Sequence, residues 1–329
     1  MIKRLFIAFI LLVLIAAAGL WYAIFMPYKG FEKEVFVDIP TGTGTTGIAR
    51  MLRENGVIRA DWQFLTARAL NSKAKLQAGE YRFDRPMSVL DVFRKIARGD
   101  VFYYELRVPE GANMFDIAAE LEKLGLVKSA EFLKAAQDTS LIHDIAPAAP
   151  SLEGYLFPST YRITRHTTPK QICREMTSQF RKVWKQVGGG TSDVNRTVTL
   201  ASLVEKETAV PGERPSVASV YHNRLQRGMR LDGDPTVIYA AILEGRYRGT
   251  IYRSDLENPS AYNTYRNAGL PPGPIANPGA ESLRAALQPA QTDWLYFVAK
   301  PDGSGAHNFS NDLASHNLNV QQYRNAAPR

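Results

Sequence analysis

The chain has 329 residues, of which 45% are hydrophobic and 22% are charged. This length and apolar content allow two or more folded domains and exclude a globally disordered protein. The net charge of +8 is spread along the chain, without the Lys/Arg run that follows a nucleic-acid backbone, so we expect no nucleic-acid partner.

The first predicted element is an apolar stretch at residues 5–25, which follows two basic residues. As a helix it would be about 32 Å long, enough to cross a bilayer core of about 30 Å. A cleaved signal peptide is the alternative, because "AAAG" follows a shorter apolar core. Since Trp21 and Tyr22 prolong the run and suit an interface, we predict a transmembrane helix, with residues 1–4 in the cytoplasm.

A repeat follows the apolar stretch. "IPTGTGTTGIARMLRENGVI", residues 39–58, aligns without gaps with "VPEGANMFDIAAELEKLGLV", residues 108–127. In each copy a strand-like segment leads through a Gly turn to two helical patterns, then to "GEYRF" or "STYRI" and a further helix. The sequence predicts a β-α-α-β-α unit in residues 26–104 and again in 105–190; a chance match is the alternative.

The strand-helix-helix-strand part of the first unit resembles LysM, a small peptidoglycan-binding module. The second copy carries an insert, "LIHDIAPAAPSLEGYLFP", which its Pro and Gly residues mark as a loop. The break "KQVGGGTSDVN" separates these units from a third region, residues 191–329. We therefore expect an α+β protein: a transmembrane helix, LysM-like modules and a C-terminal mixed α+β domain.

Cysteine and histidine usage limits the chemistry. Cys173 is the only cysteine, so no disulfide forms within the chain and its stability comes from its core. The histidines show neither HExxH spacing nor a CxxC partner, and we expect no metal site and no cofactor.

The C-terminal region opens with a predicted helix that ends in "LVEKETAVPG", residues 203–212. Asp193 or Asn195 is its N-cap and Pro211 stops it, which gives about four turns. Two glutamates, Glu205 and Glu207, stand one residue apart near its end.

A helical wheel separates these two glutamates. Glu207 falls inside the stripe of Leu200, Leu203 and Val204, whereas Glu205 falls on the far side. We expect only Glu207 to face the interior.

A carboxyl group in an apolar stripe is desolvated, and desolvation raises its pKa so that it can stay protonated at neutral pH. Such an acid can protonate a glycosidic oxygen, which is otherwise a poor leaving group. The alternative is a structural glutamate paired with Arg214 or Arg224, and the wheel leaves both open.

Three long segments carry a family resemblance. They are "LASLVEKETAVPGERPSVASVYHNRLQRGMRLDGDPTVIYA", "SAYNTYRNAGLPPGPIANPGAESLRAAL" and "WLYFVAK" followed by "HNFSNDLASHN". Together they resemble the endolytic murein transglycosylases of the MltG (YceG-like) family, over nearly the whole chain. The resemblance implies that Glu207, the second glutamate of "EKE", is catalytic.

The implied reaction is non-hydrolytic cleavage of the β-1,4 bond between N-acetylmuramic acid and N-acetylglucosamine, with 1,6-anhydro product ends. The C6 hydroxyl of the substrate is the nucleophile, so a second catalytic carboxylate is not needed. The resemblance also implies an inner-membrane protein whose catalytic domain is periplasmic and helps to terminate nascent strands. Expected partners are glycan strands, inner-membrane lipid and peptidoglycan synthases.

Substrate-binding residues are expected around Glu207. The Pro- and Gly-rich "AYNTYRNAGLPPGPIANPG" is a rigid loop that offers aromatic rings and amides to sugars, although ordinary packing of its tyrosines is the alternative. Asp234 is explained structurally as an N-cap before Pro235, which leaves it a weak site candidate. For His307 and His316 a surface turn is favoured, and lining of the cleft is the alternative. The candidate binding residues are Thr208, Asn223, Tyr262, Asn263 and Tyr265.

Two other functions remain open. One is a non-catalytic, membrane-anchored scaffold that binds peptidoglycan through the LysM-like units. The other is a hydrolytic muramidase with water as the nucleophile.

Overall fold

The computed structural model describes residues 2–191 and 193–326. It contains two compact units: Met1–Tyr104 with Arg162–His166, and Glu105–Tyr161 with Thr167–Arg329. Each unit combines helices with short antiparallel strands. The expected α+β class is confirmed.

The first unit packs three helices onto a strand pair. Strands β1 and β2 are antiparallel, with Val35 opposite Phe83 and Ile39 opposite Gly79. Their inward side chains share one core with the apolar faces of three helices. The elements are α1 (Ile2–Phe25), β1 (Val35–Ile39), α2 (Thr45–Glu54), α3 (Asp61–Leu70), β2 (Gly79–Phe83) and α4 (Val89–Arg98).

Helix α1 is apolar and exposed. Its segment Lys3–Phe25 has 23 residues and a mean hydropathy of 2.6, and the apolar window within it is not buried against the rest of the chain. As a helix it is about 34 Å long, more than the thickness of a bilayer core. By length and composition α1 fits a single membrane crossing.

The second unit is mainly helical. Strands β3 and β4 form one two-stranded sheet, and β5 and β6 form another. The remaining elements are β3 (Tyr104–Val108), α5 (Met114–Lys123), α6 (Ser129–Ala136), β4 (Ser159–Ile163), α7 (Pro169–Gln186), α8 (Val194–Glu207), α9 (Arg214–Gln226), α10 (Asp234–Leu243), α11 (Arg253–Leu256), α12 (Ala280–Leu287), β5 (Tyr296–Ala299), β6 (His307–Ser310) and α13 (Leu313–Ala326).

The predicted repeat of elements is present in the structure. The order β-α-α-β-α occurs as β1-α2-α3-β2-α4 and again as β3-α5-α6-β4-α7. Aligned residues have the same burial: Ile48 and Ile117 are both buried, and so are Leu52 and Leu121. At these aligned positions, the side chains of both copies are therefore buried in a core.

A second core surrounds the end of α8. This helix packs against α9, α10 and α12, and Leu200, Leu203 and Val204 contribute its buried face. The helix thereby brings its C-terminal residue, Glu207, to the edge of a packed region.

Two equivalent glycines provide a stability test. Gly56 and Gly125 each follow a helix with φ +69°, where any other L-residue costs about 1–2 kcal/mol. A Cβ at Gly56 would lie 2.7 Å from the Gly30 carbonyl oxygen, whereas a Cβ at Gly125 meets nothing within 4 Å. We expect Gly56→Ala to lower the thermal unfolding temperature clearly more than Gly125→Ala, as measured by circular dichroism of the full chain in detergent. Equal losses would contradict the close approach at Gly56.

Candidate active site

Helix α8 ends with Glu207. The predicted N-cap, Asp193, is confirmed, because its side chain accepts the N–H of Arg196 at 3.1 Å. The helix ends at residue 207, where Thr208 takes an extended conformation. Glu207 therefore lies at the carbonyl end of a helix, where the helix dipole disfavours negative charge.

The carboxyl group of Glu207 has one defined partner. Tyr221 of α9, which is 1% exposed, donates its hydroxyl to Glu207 Oε1 at 2.6 Å. Burial raises the pKa of Glu207 above its ordinary value, the Tyr221 hydrogen bond opposes this rise, and the charge of Asp234 adds to it. The expectation of a desolvated acid at Glu207 is supported by this geometry.

Glu207 faces a cavity of about 450 Å³. Its wall combines carboxylates, an arginine and aromatic rings, the mixture that binds a polar ligand with flat apolar faces. Residues from α8, α9, α10, β5 and α13 contribute. The lining residues are Glu207, Tyr221, Arg224, Leu231, Asp232, Asp234, Tyr265, Tyr296, Phe297, Leu313, His316 and Asn317.

Asp234 is a second carboxylate in this cavity, and its predicted role as an N-cap is wrong. Gly233 is the N-cap of α10, and Asp234 is the first helical residue. Its Oδ1 accepts the hydroxyl of Tyr265 at 2.7 Å. The predicted binding residue Tyr265 thus does line the cavity, and it holds Asp234 there.

Arg224 provides the positive charge of the cavity wall. Its Nε donates to the Leu295 carbonyl at 2.6 Å, and Nη1 donates to the Leu231 carbonyl at 2.9 Å. The guanidinium also lies 5.1 Å from the ring centroid of Tyr296. Arg224 forms no ion pair with Glu207 among the described residues, although its charge lowers the Glu207 pKa.

The expectation that Glu205 faces away from the interior is wrong. Its side chain is 5% exposed and lies 3.2 Å from Arg214 Nη2. Glu205 Oε2 also accepts the N–H of Gly279, the N-cap of α12, at 2.9 Å. Arg214 therefore neutralises Glu205, and the alternative of a structural glutamate paired with an arginine describes Glu205 rather than Glu207.

The other predicted binding residues lie outside the cavity lining. Thr208 is buried, and its hydroxyl accepts the N–H of Val210 at 3.0 Å. Asn223 donates to the carbonyls of Thr292 and Trp294 at 2.8 and 2.9 Å. Both side chains support local backbone.

Tyr262 and Asn263 lie on the predicted irregular loop. The Tyr262 ring packs against Tyr239 with centroids 5.1 Å apart. Asn263 is fully buried, and its amide donates to the carbonyls of Leu256 and Asn258 at 2.9 and 2.7 Å. Sugar binding by these residues stays a prediction.

The two C-terminal histidines are not in a surface turn. His307 begins β6 and pairs through Nδ1 with Glu213 at 2.7 Å. His316 lies on α13, stacks on Tyr296 at 5.1 Å, and lines the cavity. Burial lowers the pKa of His316, and the nearby Arg224 charge adds to this effect.

Another buried glutamate, in the second unit, was not predicted. Glu153, in the insert of the second repeat, accepts the N–H of Met114 at 2.9 Å, the hydroxyl of Tyr239 at 3.0 Å and the amide of Asn277 at 2.9 Å. Burial raises its pKa to about 7. Glu153 joins the start of α5 to α10 and to the segment before α12. In the sequence it stands in an isolated "LEG" within a loop, which gives no signal of this role.

Within residues 2–191 and 193–326, no group of three or more His, Cys, Asp or Glu side chains has the arrangement to hold a metal ion.

The structure is an α+β fold with one apolar N-terminal helix, and it holds the desolvated glutamate Glu207 in a polar, aromatic cleft. The profile of the YceG-like family matches residues 37–322. The chain belongs to the YceG-like family, and the resemblance seen in the sequence is confirmed.

Named relatives share most of the chain. The endolytic murein transglycosylase of Bacillus subtilis (strain 168) is 32% identical over 315 residues, covering 90% of this chain and 86% of that protein. The endolytic murein transglycosylase of Streptococcus pneumoniae (strain D39) is 29% identical, covering 90% of this chain and 59% of that protein. The 2.6 Å crystal structure of a YceG-like protein from Listeria monocytogenes is 32% identical, covers 87% of this chain and 98% of its own, and has a TM-score of 0.57.

The buried pair of Glu205 and Arg214 generates a stability prediction. Glu205→Gln removes the buried counter-charge of Arg214 and leaves it only the half-exposed Glu110, 3.6 Å away. Breaking a buried pair outright costs about 3–5 kcal/mol, so we expect a loss toward the lower end of this range. Glu257→Gln is the matched control, because Glu257 and Arg253 form an exposed pair whose loss has little effect. Urea unfolding of the two variants should differ clearly, and a Glu205→Gln variant as stable as the control would contradict the structural role.

Proposed function

We propose that this chain is an endolytic murein transglycosylase that cleaves peptidoglycan glycan strands by a lytic reaction. One observation carries the proposal: a desolvated carboxyl group, Glu207, opens onto a cleft with carboxylates, Arg224 and aromatic rings. Family membership and the names of two relatives support the same activity.

The proposed reaction needs Glu207 twice. Its raised pKa keeps a proton available for the oxygen that links N-acetylmuramic acid to N-acetylglucosamine. As the C1–O bond breaks, that oxygen takes the proton and the C6 hydroxyl of the muramic acid closes on C1. The carboxylate of Glu207 then accepts the hydroxyl proton, which leaves a 1,6-anhydro end and restores the acid.

The cavity wall has defined roles in this proposal. Tyr221 orients the Glu207 carboxyl and stabilises its charged form, because it donates to Oε1. The rings of Tyr265 and Tyr296 give flat faces for pyranose rings. The positive charge of Arg224 limits how far burial raises the Glu207 pKa. Thr208 and Asn223 support the backbone near this wall, and sugar binding by Tyr262 and Asn263 stays part of the proposal.

We also propose the arrangement of the whole chain in the cell. Residues 1–4 are cytoplasmic, residues 5–25 cross the inner membrane, and the remainder is periplasmic, since Lys3 and Arg4 precede the span. Residues 26–104 are a LysM-like domain that binds glycan, residues 105–190 are a second repeat-like unit, and residues 191–329 are the catalytic domain. Membrane lipid and peptidoglycan synthases are the proposed partners besides the glycan.

A hydrolytic muramidase is the second candidate, because Asp234 places a second carboxylate in the cavity and ordinary glycosidases use two. Mass spectrometry of glycan digested by the full chain in detergent separates the candidates. Anhydro ends support the lytic reaction and free reducing ends support hydrolysis. Unchanged glycan supports a non-catalytic scaffold.

The assignment of Glu207 as the acid predicts that substituting Glu207, but not Glu205, abolishes product formation. Glu207→Gln has no transferable proton, so we expect anhydro product to disappear while the circular dichroism spectrum stays that of the wild type. Glu205→Gln should retain product formation per folded molecule, at temperatures below its lowered unfolding temperature. Product from a folded Glu207→Gln variant would contradict the assignment.

The neighbours of Glu207 predict pH shifts of opposite sign. The Tyr221 hydrogen bond lowers the Glu207 pKa and the Asp234 charge raises it. The acid step requires protonated Glu207, so activity falls on the alkaline side of its pKa. Tyr221→Phe should therefore move the alkaline limb of the pH–rate profile to higher pH, and Asp234→Asn should move it to lower pH.

Asn keeps an oxygen that can accept the Tyr265 hydroxyl, so the second substitution changes charge more than shape. Shifts of the same sign, or an unmoved limb in both folded variants, would show that Glu207 does not control the alkaline limb.

A further inference from the structure

Helix α3 has apolar side chains on two opposite faces. Phe64 and Ala67 are fully buried in the core of the first unit, whereas Trp62, Leu65 and Leu70 are 49%, 36% and 68% exposed in the whole chain. At 100° per residue, Trp62 and Leu65 lie on the side opposite the buried pair. A group of large exposed apolar side chains on a soluble unit marks a contact surface.

The start of α3 lies beside the end of the apolar helix α1. Gln63 Nε2 donates to the carbonyl oxygen of Ala23 at 2.7 Å. The guanidinium of Arg59, just before α3, lies 5.5 Å from the ring centroid of Tyr22. Ile24 is 3% exposed, so the last turn of α1 is packed onto the unit that carries α3. If α1 crosses a bilayer, α3 begins at the bilayer surface.

The charge around the outer face is positive. Residues 59–75 contain Arg59, Arg68, Lys73 and Lys75 and a single acidic residue, Asp61, so four positive charges face one negative charge. Asp61 is already paired with Arg53 at 2.7 Å. Lys and Arg near a membrane surface are attracted to anionic lipid headgroups.

We propose that the outer face of α3, formed by Trp62 and Leu65 with Leu70 at its edge in the last turn, lies in the headgroup layer of the bilayer that α1 spans. Trp62 suits this layer because indole prefers the membrane interface. Lys73 and Lys75 contact anionic headgroups. The first unit is thereby held against the membrane by a second contact besides its anchor, which fixes its orientation. The inference rests on the anchor and is independent of the cleavage reaction.

A fluorescent label on a single cysteine tests this contact in the full chain reconstituted into liposomes. Cys173 can stay, because it is buried and burial raises its thiol pKa to about 12, which leaves it unreactive. Leu65→Cys and Leu70→Cys carry the label on and beside the outer face, and Thr46→Cys carries it on an exposed position at the start of α2, the end away from the Arg53–Asp61 contact with α3. The liposomes contain phosphatidylglycerol and headgroup-proximal brominated phosphatidylcholine as quencher.

We expect strong quenching at positions 65 and 70 and weak quenching at position 46. Equal quenching at all three positions, or none at 65 and 70, would overturn the proposal. Energy transfer between labelled chains in the absence of quenching would assign the face to a second copy instead, and would equally overturn it.

A charge reversal separates lipid contact from mere proximity. In the Leu65→Cys background, Lys73→Glu with Lys75→Glu should reduce quenching in phosphatidylglycerol liposomes and change it little in pure phosphatidylcholine. Lys182→Glu with Lys185→Glu, on exposed positions of α7, is the matched control and should have no effect. A reversal at 73 and 75 that leaves quenching unchanged, in a variant with wild-type circular dichroism, would refute the electrostatic part of the contact.

Discussion

The structure of the second unit depends on holding one carboxyl group in a place that disfavours its charge. Glu207 terminates α8, so the helix carbonyls and the apolar face of Leu200, Leu203 and Val204 both act against ionisation. Such a group persists in a fold only when the surrounding contacts are strong. Helices α9, α10 and α12 pack around α8, and the hydroxyl of Tyr221 supplies the single direct hydrogen bond recorded for the Glu207 side chain among the described residues.

The two glutamates of "EKE" show how one helix end serves stability and chemistry separately. The side chain of Glu205 is only 5% exposed, but Arg214 and the N–H of Gly279 satisfy its charge. The same arginine could not neutralise Glu207 as well, because the two side chains leave the helix about 200° apart. Neutralising Glu205 removes the cost of burying it, and leaves Glu207 as the member of the pair whose proton is free to react.

The sequence predicted the elements well because their signals are local. The repeat is preserved in buried positions such as Leu52 and Leu121, and Asp193 caps α8 as its position suggested. The environment of Glu205 could not be predicted, because a helical wheel does not show which other helices and loops pack against each side of the helix. Ser202, on the same side, accepts the N–H of Ile275 at 3.0 Å, and that contact spans 73 residues of chain.

The site was predicted at its centre and less well at its edge, for a related reason. The sequence around Asp234 matched an N-cap pattern. Because that pattern accounted for the residue locally, its position in the cavity was not predicted. Asn263 looked like a sugar ligand, but an amide binds backbone carbonyls as readily as acetamido groups, and only the folded loop decides which it meets. Tyr221 lies 14 residues after Glu207, on a different helix, and nothing in the sequence alone joins the two.

The remaining contacts explain how one group can act as both acid and base. Burial and Asp234 raise the pKa of Glu207, while Tyr221, His307 and Arg224 lower it. With only the effects that raise its pKa, Glu207 would hold its proton too firmly to protonate a leaving oxygen. With only the effects that lower its pKa, Glu207 would be ionised and would have no proton to donate. Arg224 is fixed by the carbonyls of Leu295 and Leu231, so its charge acts from a constant position. The position of Arg224 therefore depends on the backbone just before β5 and on the loop before α10, and a change in either should alter the chemistry without touching Glu207 itself.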